Sequence, residues 1–283
     1  MNESVYRKNS ANYSSLKTLV NGTPRDYKHA LANPIVPTSA MNLGTCVHAI
    51  FLEGKPFPSL AVVPPQDAPK RPTSAQRNAK KPSAETIEAI AFWDKFNSES
   101  AGKIVLNWEE KQQIENAVES LMESEWLAGF MQDAQAEKPY FGIVEEVEVK
   151  GLIDGINPDS TLIVDLKTIS LEIDPNSFAR LVGQRHLDLQ SALYSDLVSL
   201  SLDSGLRPNF VWVAQQVVEP FNLAIYSAGD TNYFSGKSKL THCLTKLKDC
   251  RNSGSWPSFP DSPVALELPR WAQFDQNTLA GND

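Results

Sequence analysis

Apolar residues recur along the chain with two different periods. Two short runs rich in Val, Ile and Leu, Val147 to Ile156 and Thr161 to Ile169, flank the turn-forming stretch Asn157-Pro158-Asp159-Ser160. That pattern predicts a β-hairpin. Strand patterns begin near Tyr140 and resume at Phe210 to Gln216 and Phe221 to Ser227. Helical spacing marks residues 13–31, with a turn near Asn21-Gly22, and Ser39 to Phe51, where Ala40, Leu43, Val47, Ile50 and Phe51 share one face. Further helices are predicted over Ala84 to Phe96, Glu109 to Met122, Pro175 to Leu200 and Asp230 to Arg251. Asn107 with Glu110 three residues later has the form of a capping box opening the second of these. Pro64 to Ser83 is Pro-rich and aperiodic, a long loop. Helices, a hairpin, one long helix, more strands and a closing helix describe an α/β fold. We read residues 1–283 as a single domain, with a mainly helical part at 13–125 and the sheet with its helices at 137–272.

The composition, 41% hydrophobic and 21% charged, is that of a globular protein rather than a disordered one. No stretch reaches the roughly 18 consecutive apolar residues of a membrane helix, and the first residues are polar, so no membrane partner and a cytoplasmic location are expected. Cys46, Cys243 and Cys250 form no CxxC pair, fit a reducing compartment and are too few for a four-cysteine iron–sulfur cluster. A net charge of −8 excludes a surface uniformly coated for phosphate binding, leaving room only for a concentrated basic channel.

Three charges interrupt the hairpin: Asp154, Asp165 and Lys167. With a loop of Asn157 to Ser160, Ile156 faces Thr161 and Asp154 faces Ile163, so Asp165 lies diagonally across from Asp154. Period-two alternation then puts all three charges on one face. Diagonal neighbours about 7–8 Å apart at the backbone can close two carboxylates onto one cation at about 2.0–2.1 Å. The alternative is an Asp–Lys ion pair at the sheet rim. Asp165 lies within the apolar run Leu162-Ile163-Val164-Asp165-Leu166, and a buried carboxylate needs a partner or a metal.

Elsewhere, His48 lies on a helix among apolar residues, where a packed core histidine is the ordinary reading, and Gly44 one turn earlier leaves room for close approach. Gln190 and Tyr194, four residues apart, project from one helix face, and Glu137 just precedes the first strand. Lys70, Arg71, Arg77, Lys80 and Lys81 make the long loop basic, either an arm for DNA phosphates or a solvated linker.

Asp154 followed by Asp165-Leu166-Lys167 has the spacing of the PD-(D/E)xK nucleases. Four further segments extend the likeness: Asn12-Tyr13-Ser14-Ser15, the Gly44-Thr45-x-x-His48 segment, the Gln190-x-x-x-Tyr194 helix, and the ending Trp256-Pro257 … Leu268-Pro269-Arg270-Trp271-Ala272. Together they resemble the exonuclease VIII (RecE) type of phage and prophage recombination nucleases. The resemblance implies a restriction-endonuclease-like core, a central mixed sheet flanked by helices, with helical N-terminal additions. It implies His48, Asp154, Asp165 and the Leu166 carbonyl as metal ligands, and Lys167 beside the attacking water. Gln190, Tyr194 and Glu137 would flank the site, and Ser14 and Ser15 would touch DNA. Mg²⁺ would be the cofactor, and an imidazole ligand would also suit Mn²⁺.

By the same resemblance the expected activity is ATP-independent 5′ to 3′ degradation of linear double-stranded DNA, leaving 3′ tails. The partners would be other copies in a ring-shaped homotetramer and a single-strand annealing protein of the RecT type, in the cytoplasm of a bacterial host carrying the phage or prophage. Two other readings are an endonuclease or flap nuclease of the same superfamily and a catalytically silent protein that binds DNA ends.

Overall fold

The computed structural model describes residues 10–202 and 205–269. Arg270, Trp271 and Ala272, the end of the C-terminal motif, lie outside the described residues. In chain order the elements are α1 (Tyr13–Leu16), α2 (Thr18–Asn21), α3 (Pro24–Ala32), α4 (Ser39–Phe51), α5 (Phe57–Leu60), β1 (Ala61–Val62), α6 (Ser74–Arg77), α7 (Ala84–Glu99), β2 (Ile104–Val105), α8 (Trp108–Met122) and α9 (Glu125–Met131). Then follow β3 (Gln135–Val144), β4 (Val147–Ile156), β5 (Leu162–Ile169), α10 (Pro175–Arg185), α11 (Leu187–Ser201), β6 (Asn209–Gln216), β7 (Leu223–Ser227) and α12 (Asp230–Ser253).

Strands β3-β4-β5-β6-β7 form one sheet in that order, parallel only between β5 and β6, so the sheet is mixed, as expected. Helices cover both faces. One core joins the sheet to α1–α3 and α10–α12 through Leu16, Leu19, Leu193, Leu197, Leu240 and Leu244. The other lies under α4 and α8, where Val47, Ile114 and Leu121 meet Leu166 and Val213.

Several boundaries differ from the sequence reading, for local reasons. Residues 13–31 are three short helices, because Thr23 caps a new start with Pro24 at its first position. The helix expected over Pro175 to Leu200 breaks at His186, whose φ of 57° ends α10 in the left-handed region. The basic loop holds the short α6 and is pinned to α7 and α8 by the indole N–H groups of Trp93 and Trp108, which donate to Pro69 and Pro64 carbonyls.

The hairpin pairs Ile156 with Ile163, two residues from the expected register. Asn157 Oδ1 accepts the Leu162 N–H at 2.8 Å, and Asp159 Oδ1 accepts the Thr161 N–H at 3.0 Å, so Thr161 is absorbed into the turn. A slip of two preserves parity. Continued along the strands, this register sets Asp154 directly opposite Asp165 rather than diagonal to it. Only Gly155 and Ile156 pair with β5, and further back Ala11 occupies that edge of β4, bonded to Glu148 O and by Lys150 N. The chain thus forks between β4 and β5.

Candidate active site

The fork holds the charged residues. Asp154, on β4, turns its carboxylate across the gap, and Oδ2 accepts the Leu166 N–H at 2.8 Å, replacing a ladder bond with a side chain. Asp165, on β5, is fully buried; Gln190 Nε2 donates to its Oδ1 at 2.9 Å, and Lys167 Nζ lies 2.5 Å from its Oδ2. From the opposite side α4 delivers His48, with Nδ1 3.7 Å from Asp154 Oδ2 and the ring bonded to the Leu166 carbonyl. Glu137 completes the group from β3. Its φ of 49° interrupts the pairing between Ala136–Gly155 and Lys138–Ile153, just where Asp154 would face it.

Donor atoms of His48, Glu137 and Asp154 all lie within 4.8 Å of one another. His48 and Glu137 line a cavity of about 940 Å³ together with Glu53, Lys55, Leu166, Lys167, Thr168 and Arg185, and the Asp154 carboxylate lies beside these two. A second cavity, of about 510 Å³, opens on the other side of Glu137 between Tyr13, Phe141, Lys150 and Tyr194. The Tyr194 ring rests on β4 at Gly151, where a Cβ would come within 2.8 Å of it.

Charge is crowded here. Burial, then Asp154 and Glu53, push Glu137 up to about 7. Burial also raises Asp154 and Asp165, against the lowering pull of Lys167. Desolvation and the Lys167 charge hold His48 at about 4, neutral and free to coordinate.

Residues 13–261 match the family described as "PDDEXK-like domain of unknown function (DUF3799)". The chain belongs to this family. Among solved structures, the "Putative exonuclease" from Eubacterium rectale is similar over 100% of this chain and 97% of its own, with a TM-score of 0.62 at 14% identity. That likeness supports the fold. A phage-related exonuclease from Haemophilus somnus 129PT aligns over 74% of this chain and 95% of its own at 12% identity, and its TM-score of 0.33 adds nothing further. None of the curated proteins matches significantly.

The donors of this PDDEXK-like chain fit a divalent cation. One neutral imidazole and two carboxylates converge, and the carboxylates are raised by burial and, at Glu137, by the neighbouring acids, a strain that a cation at their centre would relieve. The ligands that the resemblance implies are His48, Asp154, Asp165 and the Leu166 carbonyl. The structure brings Glu137 into the donor cluster, whereas Asp165 is held by Lys167 and Gln190, and the Leu166 carbonyl faces His48 and Lys167. Glu137, which the sequence places just before the first strand, lies within β3, at a positive φ that has no sequence signature.

Gln190 and Tyr194 lie four residues apart on α11, and both are buried. Ser14 is exposed and lines the second cavity; Ser15 is engaged with Asn12 in the capping box of α1. The basic loop stands apart from this group. Arg71 donates to Asn97 and stacks on Trp93, Arg77 pairs with Asp94, and Lys70, Lys80 and Lys81 are exposed. Arg185, unmarked by any motif, comes to the cavity only through tertiary packing.

Proposed function

We propose that this chain is a divalent-metal-dependent nuclease, and specifically a Mg²⁺-dependent, ATP-independent exodeoxyribonuclease that degrades linear duplex DNA 5′ to 3′. The reading rests chiefly on the convergence of His48, Glu137 and Asp154 beside the Lys167–Asp165 pair. The name of the Eubacterium rectale relative agrees with it. Polarity, the homotetrameric ring, the annealing partner and a phage or prophage origin rest on the RecE-type resemblance alone.

In this mechanism His48, Glu137 and Asp154 would hold the ion, and Asp165 and the Leu166 carbonyl would adjoin it. A bound divalent ion supplies Lewis acidity toward a phosphoryl oxygen and acidifies water. Lys167, fixed by Asp165, presents positive charge where negative charge builds on the phosphorus. Gln190 fixes Asp165, and Tyr194, its phenol kept protonated by burial, offers a hydrogen-bond donor beside the site. Mn²⁺ suits the imidazole as well as Mg²⁺ suits the carboxylates.

The test is digestion of linear duplex labelled at either end beside closed circular plasmid, with Mg²⁺ or EDTA, using Asp165→Ala as control. Early release of the 5′ label, dependent on Mg²⁺ and absent in the variant, is expected. Cutting of circles would replace the exonuclease with an endonuclease, and end binding without hydrolysis would leave only a DNA-end-binding protein.

A further inference from the structure

Two cations near the larger cavity, Arg185 on its lining and Lys17 in the segment bonded to Arg185, have no anionic partner among the described residues. Arg185, the last residue of α10, lines that cavity together with Lys167 and His48. Lys17, between α1 and α2, lies with Nζ 5.1 Å from the Tyr13 ring centroid, and the Tyr13 hydroxyl donates to Arg185 O at 2.6 Å. The helical N-terminus and the α10–α11 corner are thus stitched together, with Asn21 Nδ2 also 3.4 Å from His186 Nε2. Partial desolvation, then the charges of Arg185 and Lys167, hold Lys17 below its ordinary value, so the three cations feel one another.

The neighbouring carboxylates are engaged elsewhere. Asp165 is held by Lys167, and the Asp188 carboxylate accepts from Lys239 at both oxygens, from Ser235 and from the Leu189 N–H. Among the described residues neither Lys17 nor Arg185 forms an ion pair, although acids outnumber bases by 34 to 26 in the chain. Adjacent like charges left unneutralised add nothing to stability.

We propose that Lys17 and Arg185 form a clamp for a phosphate of the DNA strand, next to the one presented to His48, Glu137 and Asp154. This rests on the nuclease reading. A lysine and an arginine converging from two elements suit a phosphate, the arginine through its forked donors and the lysine as a point charge. With Lys167 deeper in the same cavity, they give the strand a line of positive charge toward the reacting phosphate. No sequence motif joins them, because they are brought together by the Tyr13–Arg185 bond.

The test is binding of a fluorescent linear duplex to the full-length protein in EDTA, by anisotropy across a salt series. Both side chains are exposed, so Lys17→Ala/Arg185→Ala should fold with an unchanged melting temperature. We expect about tenfold weaker binding, a higher KM, and a salt slope shallower by about one unit, as one phosphate contact is lost. Lys95→Ala/Lys103→Ala, with the same charge change outside both cavities, should keep the slope. Equal effects on 5′-phosphate and 5′-hydroxyl ends assign the clamp to an internal phosphate; an effect confined to 5′-phosphate ends assigns it to the end. A double variant matching both wild type and control, while wild type binds and cleaves DNA, overturns the clamp and leaves the nuclease standing. A wild-type protein that neither binds nor cleaves duplex overturns both.

Discussion

Gly44 fixes how closely α4, which carries His48, lies on β5. A Cβ at this position would come 2.8 Å from Thr168 Oγ1, whereas ordinary contact starts near 3.4 Å, so Gly44→Ala forces a yield of about 0.6 Å. Thr168 is β-branched and stiff at χ1, which places much of that movement on the helix. Overpacking of this kind costs about 1–3 kcal/mol, and the better helix propensity of Ala returns about 1 kcal/mol. Net destabilisation should therefore be small, about 0–2 kcal/mol. The metal site is less forgiving, since a shift of about 0.5 Å spoils a preorganised constellation. Gly44→Ala should weaken Mn²⁺ binding about 10–100-fold, comparable to loss of an orienting neighbour. Adding Thr168→Ala removes the hydroxyl and should restore most of that affinity. Urea denaturation and Mn²⁺ titration of the single and double variants complete the cycle. Wild-type affinity in Gly44→Ala, or a coupling under about 0.5 kcal/mol, would refute the argument.

Three further outcomes are expected. Asp165→Asn leaves Lys167 without its carboxylate; it should abolish cleavage and lower stability by up to about 3 kcal/mol in urea titrations, the lower end of the buried-pair range, because Lys167 is 19% exposed. The β3–β4 turn puts Glu145 and Glu146 at φ of 49° and 64°, so Glu145→Asn/Glu146→Gly should raise stability by about 0.4–1 kcal/mol despite losing the exposed Lys248–Glu146 pair; a lower melting temperature would contradict this. Glu137 is raised from 4.5 to about 7, so the folded metal-free protein binds this proton more tightly than the unfolded chain. Its contribution is present at low pH and lost as pH rises from about 5 to 7, and thermal melts should show Mg²⁺ offsetting that loss in wild type but not in Glu137→Gln.

The sequence alone determined the elements whose signals are local. Ser39–Phe51 and Val147–Ile156 have the ends that periodicity predicts, and the capping box at Asn107 and Glu110 opens α8 one residue earlier than expected. The Asp154, Asp165, Lys167 constellation was legible because strand parity survives a register slip of two. Tertiary structure decided the rest. His186 and Glu137 adopt positive φ without glycine, which no propensity announces, yet one ends α10 and the other carries a carboxylate to His48 and Asp154. Lys17 and Arg185 are far apart in sequence, and the segments that carry them meet through tertiary contacts, the Tyr13 hydroxyl on the Arg185 carbonyl and Asn21 beside His186. Periodicity records which face of an element is buried; what that face meets depends on how the helices pack across the fork between β4 and β5.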